Sequence, residues 1–170
     1  GPLEGEIAPD FIEKAYSGAE WESFRLTDTY DERMTLVSFL DTDCPHCWDE
    51  GATLSNLHST YNNDVQFITI AVQLSIPGHD SSRDEIEAFR DKTNYEGCYS
   101  GSQNCVDRPG SAHSWTYIDD IDLSIAKEWE VPGTPFSIIL DSNGEVVWNQ
   151  AQSDNHPNED VGQALARLVG

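Results

Sequence analysis

Apolar residues in this chain gather into short unbroken runs separated by polar, acid-rich stretches. Thr35-Leu-Val-Ser-Phe-Leu40 and Val65-Gln-Phe-Ile-Thr-Ile-Ala-Val72 are runs of the kind expected of strands covered on both faces. Between them, Trp48 to Tyr61 carries helical spacing, with Ala52, Leu57 and Tyr61 four or five apart and Leu54 beside them. Asn62-Asn63-Asp64 turns the chain into the second run, and Pro77-Gly78 ends it. Upstream, Ala8-Pro-Asp-Phe-Ile12 and Trp21-Glu-Ser-Phe-Arg-Leu26 read as two short strands joined through Ser17-Gly18.

Downstream, Ser82 with Glu85 three residues on forms a capping box that opens a helix through Ile86, Phe89 and Arg90. Glu96 to Ser111 has no periodicity and reads as an inserted loop. Trp115–Ile118 is a brief strand, and Asp122–Trp129 a short helix with Leu123, Ala126 and Trp129 on one face. Phe136–Leu140, then Asp-Ser-Asn143-Gly144, then Glu145–Trp148 has the composition and turn chemistry of a β-hairpin. A last helix runs from about Asn158 to Leu168, with Glu159 and Asp160 in its first turn. The order β-β-β-α-β-α-(insert)-β-α-β-β-α predicts an α/β fold with a mixed central sheet flanked by helices. It carries an N-terminal β-hairpin extension and an inserted loop near residues 96–111.

The 170 residues suit one domain over residues 8–170, preceded by a tag or linker remnant at 1–7. Gly1-Pro2-Leu3 reads as a cloning remnant, with a natural leader or anchor removed. No apolar run approaches the roughly 18 residues needed to span a bilayer. Charge alters the picture more. Thirty-one acidic against nine basic residues give a formal net charge of −22, spread along the chain. Such self-repulsion weakens a compact state in dilute buffer, and salt relieves it. The pattern resembles proteins of cells that accumulate molar salt. Nine scattered cations build no basic patch, which excludes nucleic acid as a partner.

The chemistry lies in four cysteines. Cys44-Pro45-His46-Cys47 follows the first buried run at the point where a helix begins. Pro45 falls in the first helical turn, where its missing N–H costs nothing. Cys44 then stands at the helix N-terminus, whose free amides and dipole favour a thiolate, both nucleophile and leaving group. His46 in that turn can stabilise the same thiolate, which makes the pair more oxidising. A zinc half-site or two structural thiols are the plain alternatives. Cys98 and Cys105 bracket a polar loop, and a structural disulfide there would contribute about 2–3 kcal/mol and imply an oxidising compartment. Free thiols, or a relay role in electron transfer, are the other readings of that pair.

These segments resemble the thioredoxin superfamily, in its TlpA-like branch of extracytoplasmic thiol-disulfide oxidoreductases with their peroxiredoxin relatives. The resemblance rests on Ala8-Pro9-Asp10-Phe11, Ser38-Phe39-Leu40 through Cys47, Val131-Pro-Gly-Thr134-Pro135-Phe136 and Asp141-Ser-Asn-Gly144, in order. It implies a thioredoxin-like fold in which Cys44 and Cys47 carry the electrons, with no organic cofactor and no metal. The match at Thr134-Pro135 implies a cis peptide bond facing the redox pair. Thr134, Pro135 and Pro45 are then the client-contacting residues. Glu50, three residues after Cys47, stands where the TlpA-like branch carries a glutamate that takes the proton of the resolving thiol. The chain departs from thioredoxins at Ser38, where they bury an acid, and at Asp43, commonly tryptophan. Asp41 and Asp43 would oppose a nearby thiolate.

The resemblance thus implies a monomeric protein disulfide oxidoreductase. Its partners are client proteins with thiols or disulfides, and a redox partner that resets the pair. It implies an extracytoplasmic or membrane-anchored location, with a cytoplasmic one left open. One rival is a thiol peroxidase, for which Thr42 stands two residues before Cys44 rather than three. Another is a copper-binding assembly protein, which uses a wider cysteine spacing and a distal histidine. A redox-silent module whose cysteines staple a helix is the third. His58, His79, His113 and His156 show no partner spacing.

Overall fold

The structure, a computed structural model, describes residues 2–73 and 81–170. Seven strands form one mixed sheet in the order β2-β1-β7-β4-β3-β8-β9. They are β1 (Ile12–Tyr16), β2 (Trp21–Arg25), β3 (Met34–Leu40), β4 (Val65–Val72), β7 (Thr116–Asp120), β8 (Phe136–Leu140) and β9 (Val146–Asn149). The β3, β4 and β7 strands run parallel, while β1–β2, β1–β7, β3–β8 and β8–β9 pair antiparallel. The helices are α1 (Pro45–Tyr61), α2 (Arg83–Asp91), α4 (Ser124–Glu128) and α5 (Val161–Val169). The insert adds a small two-stranded ladder, β5 (Glu96–Gly97) with β6 (Gln103–Asn104), joined through the distorted turn α3 (Cys98–Gly101).

The unbroken runs of β3 and β4 feed both faces of this sheet. Leu36, Leu40, Phe67 and Ala71 pack on one side with Leu54, Ile86, Phe89 and Leu165; Val37, Phe39, Ile68 and Ile70 pack on the other with Ile125 and Trp129. Both cysteines of the candidate site belong to the first cluster.

Several boundaries differ from expectation. The first strand begins at Ile12, not Ala8, and the hairpin turns through Ser17-Gly18. The Asp10 carboxylate takes the Thr27 N–H and the Arg25 guanidinium, while Ala8 N–H goes to Gly144. Residues 5–8 thus run beside β9: Gly5 N–H reaches Val146, and Ile7 bridges Glu145. The last helix begins at Val161, because Asp160 closes a capping box with Gln163. The fourth helix begins two residues late, after Leu123 at φ +65°. Ser82 accepts the Glu85 N–H as the capping box requires, but the Glu85 carboxylate accepts from Thr42 Oγ1. The inner face of α1 holds Cys47, Gly51, Leu54 and Ser55, while Ala52, Leu57 and Tyr61 sit at its margin. The expected terminator Pro77-Gly78 and His79 lie outside the described residues.

Candidate active site

The β3 strand ends at Leu40 and hands the chain to α1 through Asp41, Thr42 and Asp43, all buried. Cys44 is the N-cap of α1: its Sγ accepts the Cys47 N–H at 3.4 Å, and Pro45 follows where no N–H is needed. Cys47 lies one turn in, fully buried, with the Asp41 N–H at 3.4 Å from its Sγ. Both thiols are free.

The two sulfurs have unlike environments. A hydrogen bond from the Cys47 thiol, with the N–H groups of Cys47 and His46, outweighs burial and brings Cys44 down to about 6. Burial, together with the neighbouring Cys44, pushes Cys47 far up. At neutral pH, Cys44 is therefore the thiolate and Cys47 the protonated thiol.

Across from this pair, the Thr134–Pro135 peptide bond is cis, and the Cys44 thiol lies 3.6 Å from the Thr134 carbonyl oxygen. A groove of about 360 Å³ runs along Pro132–Phe136 to Gln150 and Ala151. Gln150 also borders a cleft of about 500 Å³ lined by Glu50, Thr53, Trp148, Asp160 and Gly162. Burial raises the pKa of Glu50, the Asp160 carboxylate adds to that, and Thr53 opposes it. Glu50 thus faces the junction of α1 with α5. Pro45 and His46 are exposed at the helix tip, and what His46 gives Cys44 directly is its backbone N–H.

Where thioredoxins bury an acid, Ser38 Oγ pairs with Thr69 Oγ1 at 2.8 Å, and Thr69 accepts the Trp115 indole N–H. Beside them lies His113, stacked on Trp115 with ring centroids 4.1 Å apart. Its Nε2 bonds the Gly51 carbonyl of α1 at 2.8 Å and its Nδ1 the Tyr117 hydroxyl at 2.7 Å. The carbonyl only accepts, so Nε2 carries the proton and Tyr117 donates to Nδ1. A lone histidine with no spaced partner gave no hint of this.

The insert is also closer to the site than its lack of pattern suggested. Cys98 and Cys105 form a disulfide, Cα atoms 5.2 Å apart. Tyr99 N–H bonds the Thr42 carbonyl at 3.1 Å, and Ser100 N–H the Asp43 carbonyl at 2.8 Å. The Tyr99 ring meets Trp48 edge-on, centroids 5.6 Å apart. Among the described residues, no group of three or more His, Cys, Asp or Glu is placed to hold a metal.

No curated protein matches this chain. Several solved structures share its fold. The thioredoxin domain of a thiol-disulfide oxidoreductase from Bacteroides vulgatus is 15% identical, with 99% of each chain covered and a TM-score of 0.65. A putative thiol:disulfide interchange protein DsbE from Chlorobium tepidum is 16% identical over 98% of this chain and 95% of its own, with a TM-score of 0.64. A reduced 2-Cys peroxiredoxin from Plasmodium vivax is 20% identical over 98% of this chain and 80% of its own, with a TM-score of 0.66. Redoxin, as a family, matches residues 3–166. The chain therefore belongs to the Redoxin family, built on a thioredoxin-like fold.

Proposed function

We propose that this protein is a thiol-disulfide oxidoreductase acting on client proteins through the Cys44–Cys47 pair. The observation that carries this reading is the unlike placement of the two thiols: Cys44 at the N-cap of α1 accepts the Cys47 N–H, and Cys47 lies fully buried one turn behind it. That placement favours the anion at Cys44 and the protonated thiol at Cys47. The Cys44 thiolate attacks one sulfur of a client disulfide. That S–S bond breaks, a Cys44–client bond forms, and the second client sulfur leaves as a thiolate that takes a proton. Cys47 gives up its proton and attacks Cys44 Sγ, which releases the client's other sulfur and closes Cys44–Cys47. Two electrons pass to the client. The same steps reversed oxidise it, and a redox partner resets the pair.

Thr134 offers its backbone to an extended client segment, with Pro135 and Pro45 bordering the approach. Glu50, its pKa raised by burial, receives the Cys47 proton. His46 stabilises the reduced form. The exchange uses no organic cofactor and no metal, and the protein acts as a monomer. The Cys98–Cys105 disulfide supports an oxidising, extracytoplasmic setting. The acid excess supports a salt-rich one.

The test is insulin reduction with a thiol donor. The wild type accelerates it, Cys44→Ser abolishes the acceleration, and Cys47→Ser accumulates a mixed disulfide at Cys44. Equal activity in Cys44→Ser would overturn the reading.

A thiol peroxidase is the second reading, supported by the fold shared with the Plasmodium peroxiredoxin. The buried guanidinium groups do not favour it: Arg108 bonds the Phe89 and Ser111 carbonyls, and Arg90 bonds Trp115 O and Asp91. Rapid consumption of hydrogen peroxide by the reduced protein would restore it.

A further inference from the structure

The loop that delivers Cys44 is short and curls tightly upon itself. Cys44 N–H returns to the Asp41 carbonyl at 3.1 Å, and Asp43 N–H to Asp41 Oδ1 at 2.9 Å. That leaves the Thr42 and Asp43 carbonyls pointing away, and both are taken by the insert through Tyr99 and Ser100. The Tyr99 ring then reaches over to Trp48, one turn beyond Cys44 on α1. The insert thus grips the chain on both sides of the nucleophile.

This grip has a continuous support. Tyr99 and Ser100 sit at φ +51° and +60°, conformations that non-glycine residues hold only when their surroundings fix them. The Cys98–Cys105 disulfide closes the turn that contains them. Cys105 N–H bonds Tyr95 O, and Arg108 N–H bonds Cys105 O. The Arg108 guanidinium, fully buried, then fastens this end to the Phe89 and Arg90 carbonyls of α2.

We propose that the disulfide-closed insert is a positioning device for Cys44, in which the Tyr99 and Ser100 amides hold the Thr42–Asp43 loop so that the nucleophilic sulfur stays seated on the tip of α1. The proposal rests on Cys44 being the reactive thiol. Tyr99, Ser100, Cys98 and Cys105 are positioning residues, and none of them exchanges electrons with the client. A loosened loop lets Cys44 leave the N-cap, and its sulfur loses the Cys47 and His46 N–H groups that favour the anion.

The test is the pH profile of Cys44 alkylation in the reduced pair, read by peptide mass, in whole-protein variants. Ser100→Pro removes one of the two amides and cannot hold a positive φ, yet keeps the disulfide. Ser100→Gly keeps the amide and tolerates the conformation. Ser100→Pro is expected to move the alkylation midpoint to higher pH and to slow alkylation several-fold at pH 6, with Ser100→Gly matching the wild type. A Cys98→Ala/Cys105→Ala variant is expected to shift the same way. The proposal is overturned if Ser100→Pro and Ser100→Gly give the same profile, or if the double variant melts at lower temperature with an unmoved midpoint. Because alkylation needs no client, these outcomes stand apart from loss of insulin reduction.

Discussion

The Cys44 thiol faces the carbonyl oxygen of Thr134 across 3.6 Å, so the sulfur at the helix tip and the backbone beside the cis-proline share one small space. Strand β8 begins just after Pro135, while α1 begins just after Cys44. In the proposed function, a client cysteine paired along residue 134 would meet Cys44 first, Cys44 being 8% exposed and Cys47 0%.

That inequality predicts the outcome of trapping. With a peptide carrying a mixed aromatic disulfide, Cys47→Ser should form a stable adduct at Cys44, and Cys44→Ser should form none at Cys47. Mass spectrometry of the digested adducts gives the answer, and modification of Cys47 in the second variant would contradict it.

Gly51 predicts a stability loss against helix propensity. Alanine would favour α1 by about 1 kcal/mol in an exposed position. Here a Cβ would stand 2.6 Å from Arg108 Nη1 and 2.9 Å from its Cδ, against a guanidinium held by carbonyls on several sides. Gly51→Ala should cost roughly 1–3 kcal/mol net in urea unfolding. A stabilised protein would contradict this packing.

His113 sets a pH dependence. Burial, then the nearby Arg108 guanidinium, lowers its pKa to about 3 from an ordinary 6.5. The unfolded chain therefore binds the proton first. The stability linked to this group is complete above about pH 6.5 and declines as pH falls toward 3, a total on the order of 5 kcal/mol. Asp120, raised to about 6 chiefly by burial, runs the other way between pH 6 and its ordinary 3.8, since its protonated form is favoured in the fold. His113→Gln should be less stable at pH 7 and should lose less stability than the wild type between pH 6.5 and 4. Parallel urea midpoints for the two proteins across that range would contradict the assignment.

The acid excess predicts a salt response. With 31 acidic and 9 basic residues, repulsion is screened over about 10 Å at 0.1 M salt and about 3 Å at 1 M. The melting temperature should climb steadily from dilute buffer to molar potassium chloride. A flat or falling curve would contradict a fold weakened by its own charge repulsion.

Much of this was legible along the chain. The runs at 35–40 and 65–72 announced central strands because each feeds apolar residues to both faces of the sheet. Pro45 after Cys44 announced the helix tip because a proline there has no N–H to satisfy. What stayed hidden depends on contacts between distant segments. The inner face of α1 is built around Gly51 and Ser55, small residues that carry no hydrophobic period, because the buried Arg108 lies against Gly51. The residue pattern puts the first strand at Ala8–Ile12, but it lies at Ile12–Tyr16, through the charged Glu13 and Lys14, because it is held by pairing to β2 and β7. Tyr99 and Ser100 gave no sign of touching the cysteine loop 57 residues upstream, since two backbone amides leave no trace in residue type.

The most direct measurement is differential alkylation of the reduced protein across pH 4–9, with Cys44 and Cys47 quantified separately. The account predicts labelling of Cys44 with a midpoint near 6, while Cys47 stays unmodified in the folded protein. Labelling of both cysteines at similar rates, with a common midpoint near the ordinary thiol value of about 8.5, would contradict it.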